Sequence, residues 1–208
     1  MPFLDKNNAS APSPCKAASR QITTQEHPAQ RTHPKANTLA YTGLLLCLAL
    51  IFSYLETQIP LLVVPIPGIK LGFANLVITF CAYICGLKTA FFISVTRVLL
   101  TALLFGGWSG FWFSLCGALC AFCVLALMLR FVRDAVSPIG VSVACAAAHN
   151  AGQLCAASLL LKSGAVFTYF PWLLLAGMGI GTVTGTLVTL LLHFVPSSVK
   201  LAFQKGTQ

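Results

Sequence analysis

Apolar residues along this chain neither alternate nor gather on one side of a helical wheel; they fill whole segments. Six such segments follow one another, at about Leu39–Tyr54, Leu71–Leu87, Thr89–Phe105, Gly110–Leu129, Ile139–Leu161 and Phe170–Val195. Each is near the roughly 20 residues that a helix needs to cross a bilayer core. Barrel strands would be about half as long and would alternate in polarity. The pattern therefore predicts an all-α integral membrane protein, a bundle of six transmembrane helices over residues 39–195.

The flanks read differently. Residues 1–38 are rich in Ser, Thr, Ala, Pro, Gln and Asn and show no apolar period, so a disordered tail is expected there. A polar stretch of that length ahead of the first apolar run is unlike a signal peptide. Residues 196–208 form a short basic C-terminal tail. Between the first two spans, Pro60 to Gly68 is apolar but too rich in proline for a regular helix. It reads equally as a plain loop or as an apolar lid over a site.

Composition agrees with lipid as the solvent: 57% of residues are hydrophobic and 8% charged, where soluble domains carry about a quarter charged. Thirteen Lys and Arg against four Asp and Glu give a net charge of +9. The basic residues are scattered and no nucleic-acid motif accompanies them, so the charge is read as orienting the protein in its membrane. With the N-terminus inside, Arg31, Lys35, Lys88, Arg130, Arg133, Lys200 and Lys205 lie on the cytoplasmic side, and only Lys70 and Lys162 on the other. That asymmetry predicts a multi-pass protein of the cell membrane with both termini in the cytoplasm. Eight of the nine cysteines sit inside apolar runs, where a thiol is expected as a packing residue rather than a zinc ligand.

A few polar residues stand out against this background. Arg97 falls near the middle of the third span, where an arginine costs on the order of 2.5–3.5 kcal/mol on insertion scales. It pairs either with Glu56 or with an anionic ligand group. His149, Asn150 and Gln153 stand within five positions of the fifth span, and His149 and Gln153 share a face one turn apart. Interhelical bonding accounts easily for one of these, less easily for three. Asn75 and Lys70, near the start of the second span, are candidates to join them. A pocket of such donors suits a carboxylate, a phosphate or several carbonyls.

Small residues form ridges. Gly177, Gly181 and Gly185 recur every four residues and are expected to pack helices together, as are Gly110, Ser114 and Ala118. Ala36, Ala40 and Gly43 make a looser ridge at one end of the first span, suited either to the bundle or to a docking protein.

Several of these strings together resemble a known family. They are Tyr54-Leu55-Glu56 before Pro60, Pro67-Gly68-Ile69-Lys70-Leu71-Gly72-Phe73-Ala74-Asn75-Leu76, Arg97-Val98-Leu99-Leu100, Phe113-Ser114-Leu115 with Gly117, and Gly140-Val141-Ser142 leading to His149-Asn150 and Gln153. The chain resembles the Gx transporter family, also labelled heptaprenyl diphosphate synthase component I, and is similar in span number to the S components of energy-coupling factor transporters. The resemblance implies a membrane subunit that binds a small-molecule substrate and works with a transmembrane coupling subunit and ATPase subunits. It places docking to the coupling subunit on Ala36, Ala40 and Gly43.

The two labels imply different chemistry. A prenyl diphosphate synthase holds magnesium on clustered aspartates, but the acidic residues here, Asp5, Glu26, Glu56 and Asp134, are dispersed. No Gly-rich phosphate loop is present either. The sequence thus predicts no catalytic residues, no metal and no cofactor. The first expectation is an importer's substrate-binding subunit; the second is a non-catalytic membrane component of heptaprenyl diphosphate synthase; a stand-alone secondary transporter is a third.

Overall fold

The computed structural model describes residues 34–58, 72–105, 107–132 and 135–195, which all belong to one compact unit, His33–Gln208. Residues 1–33, the proline-rich stretch Pro60–Gly68 with Lys70, and the tail 196–208 lie outside the described residues. Among the described residues all regular structure is helical: α1 Pro34–Gln58, α2 Asn75–Ile84, α3 Leu87–Phe105, α4 Trp108–Phe131, α5 Pro138–Leu161 and α6 Phe170–Phe194. A 3-10 helix, Gly164–Tyr169, leads into α6. The first helix begins at Pro34, inside the segment expected as a tail.

Five of these elements are long and apolar enough to cross a membrane, and α2 is not. At 1.5 Å per residue its ten residues span about 15 Å, half of a roughly 30 Å core. A sixth full-length span is thus not confirmed among the described residues, and two glycines flank the short helix. Gly72 (φ +91°) and Gly86 (φ +88°) adopt left-handed backbone at the two flanks of the helix, where an L side chain would be strained. The Gly72 carbonyl accepts from the Asn75 N–H at 3.0 Å, closing a turn ahead of α2, and the Cys85 N–H returns to Cys81 O at 2.7 Å behind it. What remains is a short helix with seven of its ten residues buried. Irregular backbone at membrane depth survives where protein covers it, and Gly72 and Ala74 are both buried.

The centre of the bundle is α5, half of which is buried, against 17% of the apolar window of α1. It starts at Ser137, whose hydroxyl caps the Gly140 N–H at 3.3 Å, with Pro138 in the first turn. α5 packs against α4 on one side and α6 on the other. Glycine sets both approaches. A Cβ on Gly181 of α6 would lie 2.7 Å from Val143 Cα, and one on Gly185 would lie 2.5 Å from Ile139 Cα. On the other side, a Cβ on Gly152 would lie 2.6 Å from the Cys116 carbonyl oxygen of α4. In lipid, such backbone approach stands in for the missing hydrophobic drive.

Against this core α1 is peripheral, touching α2 and α3 among the described helices. Ala40 is exposed, and Gly43 has nothing within 4 Å of its Cβ position; the Ala36 side chain lies outside the described residues. In the α4 ridge Ser114 and Ala118 are buried, whereas Gly110 meets open space. Large apolar side chains such as Leu103, Phe131 and Leu159 point outward, which a bilayer requires and water would punish. Trp108 and Trp112 at the start of α4 and Trp172 at the start of α6 mark one end of the bundle as an aromatic belt. The cysteines divide: Cys81, Cys85 and Cys145 are buried, but Cys47, Cys120, Cys123 and Cys155 are exposed. The exposed ones suit a lipid-facing surface, because a thiol is apolar enough to face hydrocarbon.

Candidate functional site

Arg97 is 4% exposed, so its charge is enclosed by the bundle rather than by lipid. Its Nη1 donates to Ser53 Oγ of α1 at 3.2 Å, and its Nε has no hydrogen-bond partner among the described residues. Glu56 follows Ser53 by three residues on the same face of α1 and is 6% exposed. It is the acidic neighbour acting electrostatically on Arg97. Its carboxylate also accepts from the backbone N–H of Phe73, in the turn that opens α2. α1 thus reaches the interior through two polar residues, one on each side of the contact with α2 and α3.

His149 enters from α5 into a slot made by glycines of two other elements. A Cβ on Gly117 of α4 would lie 2.8 Å from His149 Cε1 and 2.8 Å from Gln153 Cγ. A Cβ on Gly72 would lie 3.4 Å from His149 Cδ2 and 3.1 Å from Asn75 Nδ2. Gln153 Nε2 and His149 Nε2 are 3.0 Å apart. An amide nitrogen only donates, so with the amide assigned this way His149 Nε2 accepts, and with the amide turned over Nε2 would donate to the Gln153 oxygen. Asn150, next along α5, faces α6 instead: its Nδ2 donates to the Leu173 carbonyl at 2.7 Å. That contact depends on Gly177, whose Cβ would lie 2.5 Å from Asn150 Nδ2.

Two small cavities result. The first is lined by Ser53 and Glu56 of α1, Arg97, Val98 and Thr101 of α3, Ser114 of α4 and His149 of α5. The second lies about a turn further along α3, α4 and α5, with α2 in place of α1, and has Asn75 and Thr79 of α2, Ser94 of α3 and Cys145 of α5 as its polar lining. Each has room for about one water molecule. Of the residues singled out in the sequence, Arg97, Glu56 and His149 therefore share one cavity. Gln153 reaches that cavity through its bond to His149, Asn75 lines its neighbour, and Asn150 joins α5 to α6. Lys70 lies outside the described residues. Gly177, Gly181 and Gly185 all face α5.

Sequence reasoning passed over Ser53, Thr101, Ser114 and Gly117 as site residues. Hydroxyls in membrane helices commonly bond back to their own backbone, as Thr182, Thr186 and Thr189 of α6 do. A serine in such a helix carries no sign of which face it occupies. Ser53 had one available signal, its position one turn before Glu56 on the face of α1 that turns inward. The site offers a buried cation, a buried carboxylate and several hydroxyls around one enclosed space, a binding chemistry. Among the described residues no group of three or more His, Cys, Asp or Glu gathers at metal-binding distance.

An outward apolar shell around long helices, enclosing a charged centre, defines a multi-pass helical membrane protein. The chain belongs to the heptaprenyl diphosphate synthase component I family, whose profile matches residues 45–191. That interval runs from α1 into α6 and contains every lining residue of both cavities. No curated protein matches the chain, and no solved structure does.

Proposed function

We propose that the chain is the substrate-binding membrane subunit of a small-molecule importer, seated in the cell membrane with both termini in the cytoplasm. The observation that carries this reading is the enclosed Arg97. A guanidinium at that depth is costly, and its Nε has no partner among the described residues, in a cavity lined in part by hydroxyls. A buried guanidinium donor without a neighbouring acceptor is available to a ligand's carboxylate or phosphate. The cavity as it stands holds about a water, so a substrate needs it to widen. α1 is the wall suited to give way, because it is the least buried span and, among the described residues, contributes Ser53 and Glu56 to the lining.

The family description favours a second reading, a non-catalytic membrane component associated with heptaprenyl diphosphate synthase. In either role we propose that the chain itself is not an enzyme. Purification of the tagged chain in mild detergent separates the two. Co-purification of ATPase and coupling subunits, with a small molecule bound, supports the importer. Recovery of a soluble prenyl synthase and no small molecule overturns it in favour of the second reading.

A further inference from the structure

Resting on the binding role proposed above, we infer that Arg97 and Thr101 of α3 form a two-donor grip for an oxyanion, a carboxylate or phosphate group of the ligand. Thr101 lines the same cavity as Arg97 and is 3% exposed, yet its Oγ1 has no hydrogen-bond partner among the described residues. Arg97 Nε, one turn earlier on the same face of α3, is without a partner as well. A hydroxyl in a membrane helix commonly settles on its own backbone, as those of Thr182, Thr186 and Thr189 do. That of Thr101 does not, and burying it unbonded costs the fold free energy. Valine would fill nearly the same space without that cost. The hydroxyl and the guanidinium Nε are thus two buried donors that the fold leaves unused, in one cavity. A carboxylate or a phosphate offers an oxygen to each.

The grip belongs to a single helix, which bears on how the cavity fills. Arg97 and Thr101 keep their spacing as long as α3 stays helical, wherever α1 stands. Withdrawal of α1, the wall suited to give way, strains the Arg97 Nη1 bond to Ser53 and leaves Nε and Oγ1 where they are. An anion seated on α3 therefore stays held while the wall opens. The competing occupant is one structural water bridging the two donors, for which the cavity has room.

The test uses the full chain as wild type, Thr101→Val and Thr101→Ser, each purified in mild detergent. The small molecule that co-purifies with the wild type is released by denaturation, identified by accurate mass and fragmentation, and quantified per folded protein in all three. Thermal unfolding is read on chains first exchanged into compound-free detergent, so that bound ligand does not contribute to it. The inference expects a compound that carries a carboxylate or a phosphate, and its fragmentation says which. It expects Thr101→Val to retain about tenfold less of that compound, or lower still, while unfolding at or above the wild-type temperature. Thr101→Ser keeps the hydroxyl and should restore most of the retention. Full retention by Thr101→Val, or a released compound with neither group, overturns the grip and leaves the binding role standing. Retention and unfolding temperature that fall together in Thr101→Val give the hydroxyl a structural role, a bridging water included, and overturn the grip as well. Release of no small molecule from the wild type overturns both the grip and the binding role.

Discussion

Alanine at Gly177 places a methyl group 2.5 Å from Asn150 Nδ2, closer than real side-chain contacts come. α6 cannot retreat far, because Gly181 and Gly185 hold it against the α5 backbone one and two turns further along. The amide of Asn150 must move, and its 2.7 Å bond to the Leu173 carbonyl is lost. Overpacking of this kind costs about 1–3 kcal/mol. An amide left unsatisfied in a site that is 1% exposed adds about 1–3 kcal/mol. Alanine returns about 1 kcal/mol through its better helix propensity. The net expectation is a loss of about 1–5 kcal/mol, measured as the shift in equilibrium unfolding in mixed detergent micelles. In an Asn150→Ala background the new methyl enters vacated space, so Gly177→Ala there is close to neutral. The cycle should show a coupling of about 1 kcal/mol or more, above the scatter of about 0.3–0.5 kcal/mol seen for independent sites. Equal losses in the two backgrounds would refute the idea that Gly177 exists to admit Asn150. Gly43→Ala is the control: nothing lies within 4 Å of its Cβ, so the isolated chain should be unchanged or stabilised by up to about 1 kcal/mol.

Gly117→Ala drives a methyl to 2.8 Å from His149 Cε1 and from Gln153 Cγ, so ligand retention should fall further than the folded fraction does; equal falls in both would mean that the histidine's placement is immaterial to binding. A reporter active only in the cytoplasm, fused after Gln208, should be active, and a silent but well-expressed fusion contradicts the proposed orientation. The purified chain alone should not elongate a radiolabelled allylic diphosphate, since its four acidic residues are dispersed, and elongated product in that assay contradicts the non-catalytic reading.

The long spans were legible because lipid demands unbroken apolar length, and a run such as Ile139–Leu161 leaves its helix nowhere else to end. The second span is the exception, for a related reason. Apolar length is not helix length there: Gly72 and Gly86 lie just inside the ends of the Leu71–Leu87 run, and both adopt positive φ. Had those glycines been weighed as helix stops, the half-length α2 was within reach. Arg97 and Glu56 announced themselves because charges are rare in a membrane interior, and they do share a cavity. Asn150 shows the opposite limit. It lies next to His149 in sequence, yet adjacent residues on a helix point about 100° apart, and this one meets α6 instead of the cavity. Ser53 and Ser114 became visible only when four helices were brought together.

The binding role stands or falls on Arg97, and Arg97→Gln tests it most directly. Wild-type and variant chains are purified in parallel, and bound small molecule per folded protein is measured beside thermal unfolding. Glutamine removes the charge and ends at the level of Nε, two bonds short of the Nη1 that meets Ser53 Oγ, so thermal unfolding reads the cost of that lost contact separately from ligand retention. The account predicts that the variant stays monodisperse, unfolds near the wild-type temperature and retains no ligand. Retention that falls only in step with the folded fraction, alongside a lowered unfolding temperature, would show that Arg97 serves the fold and would contradict the binding site.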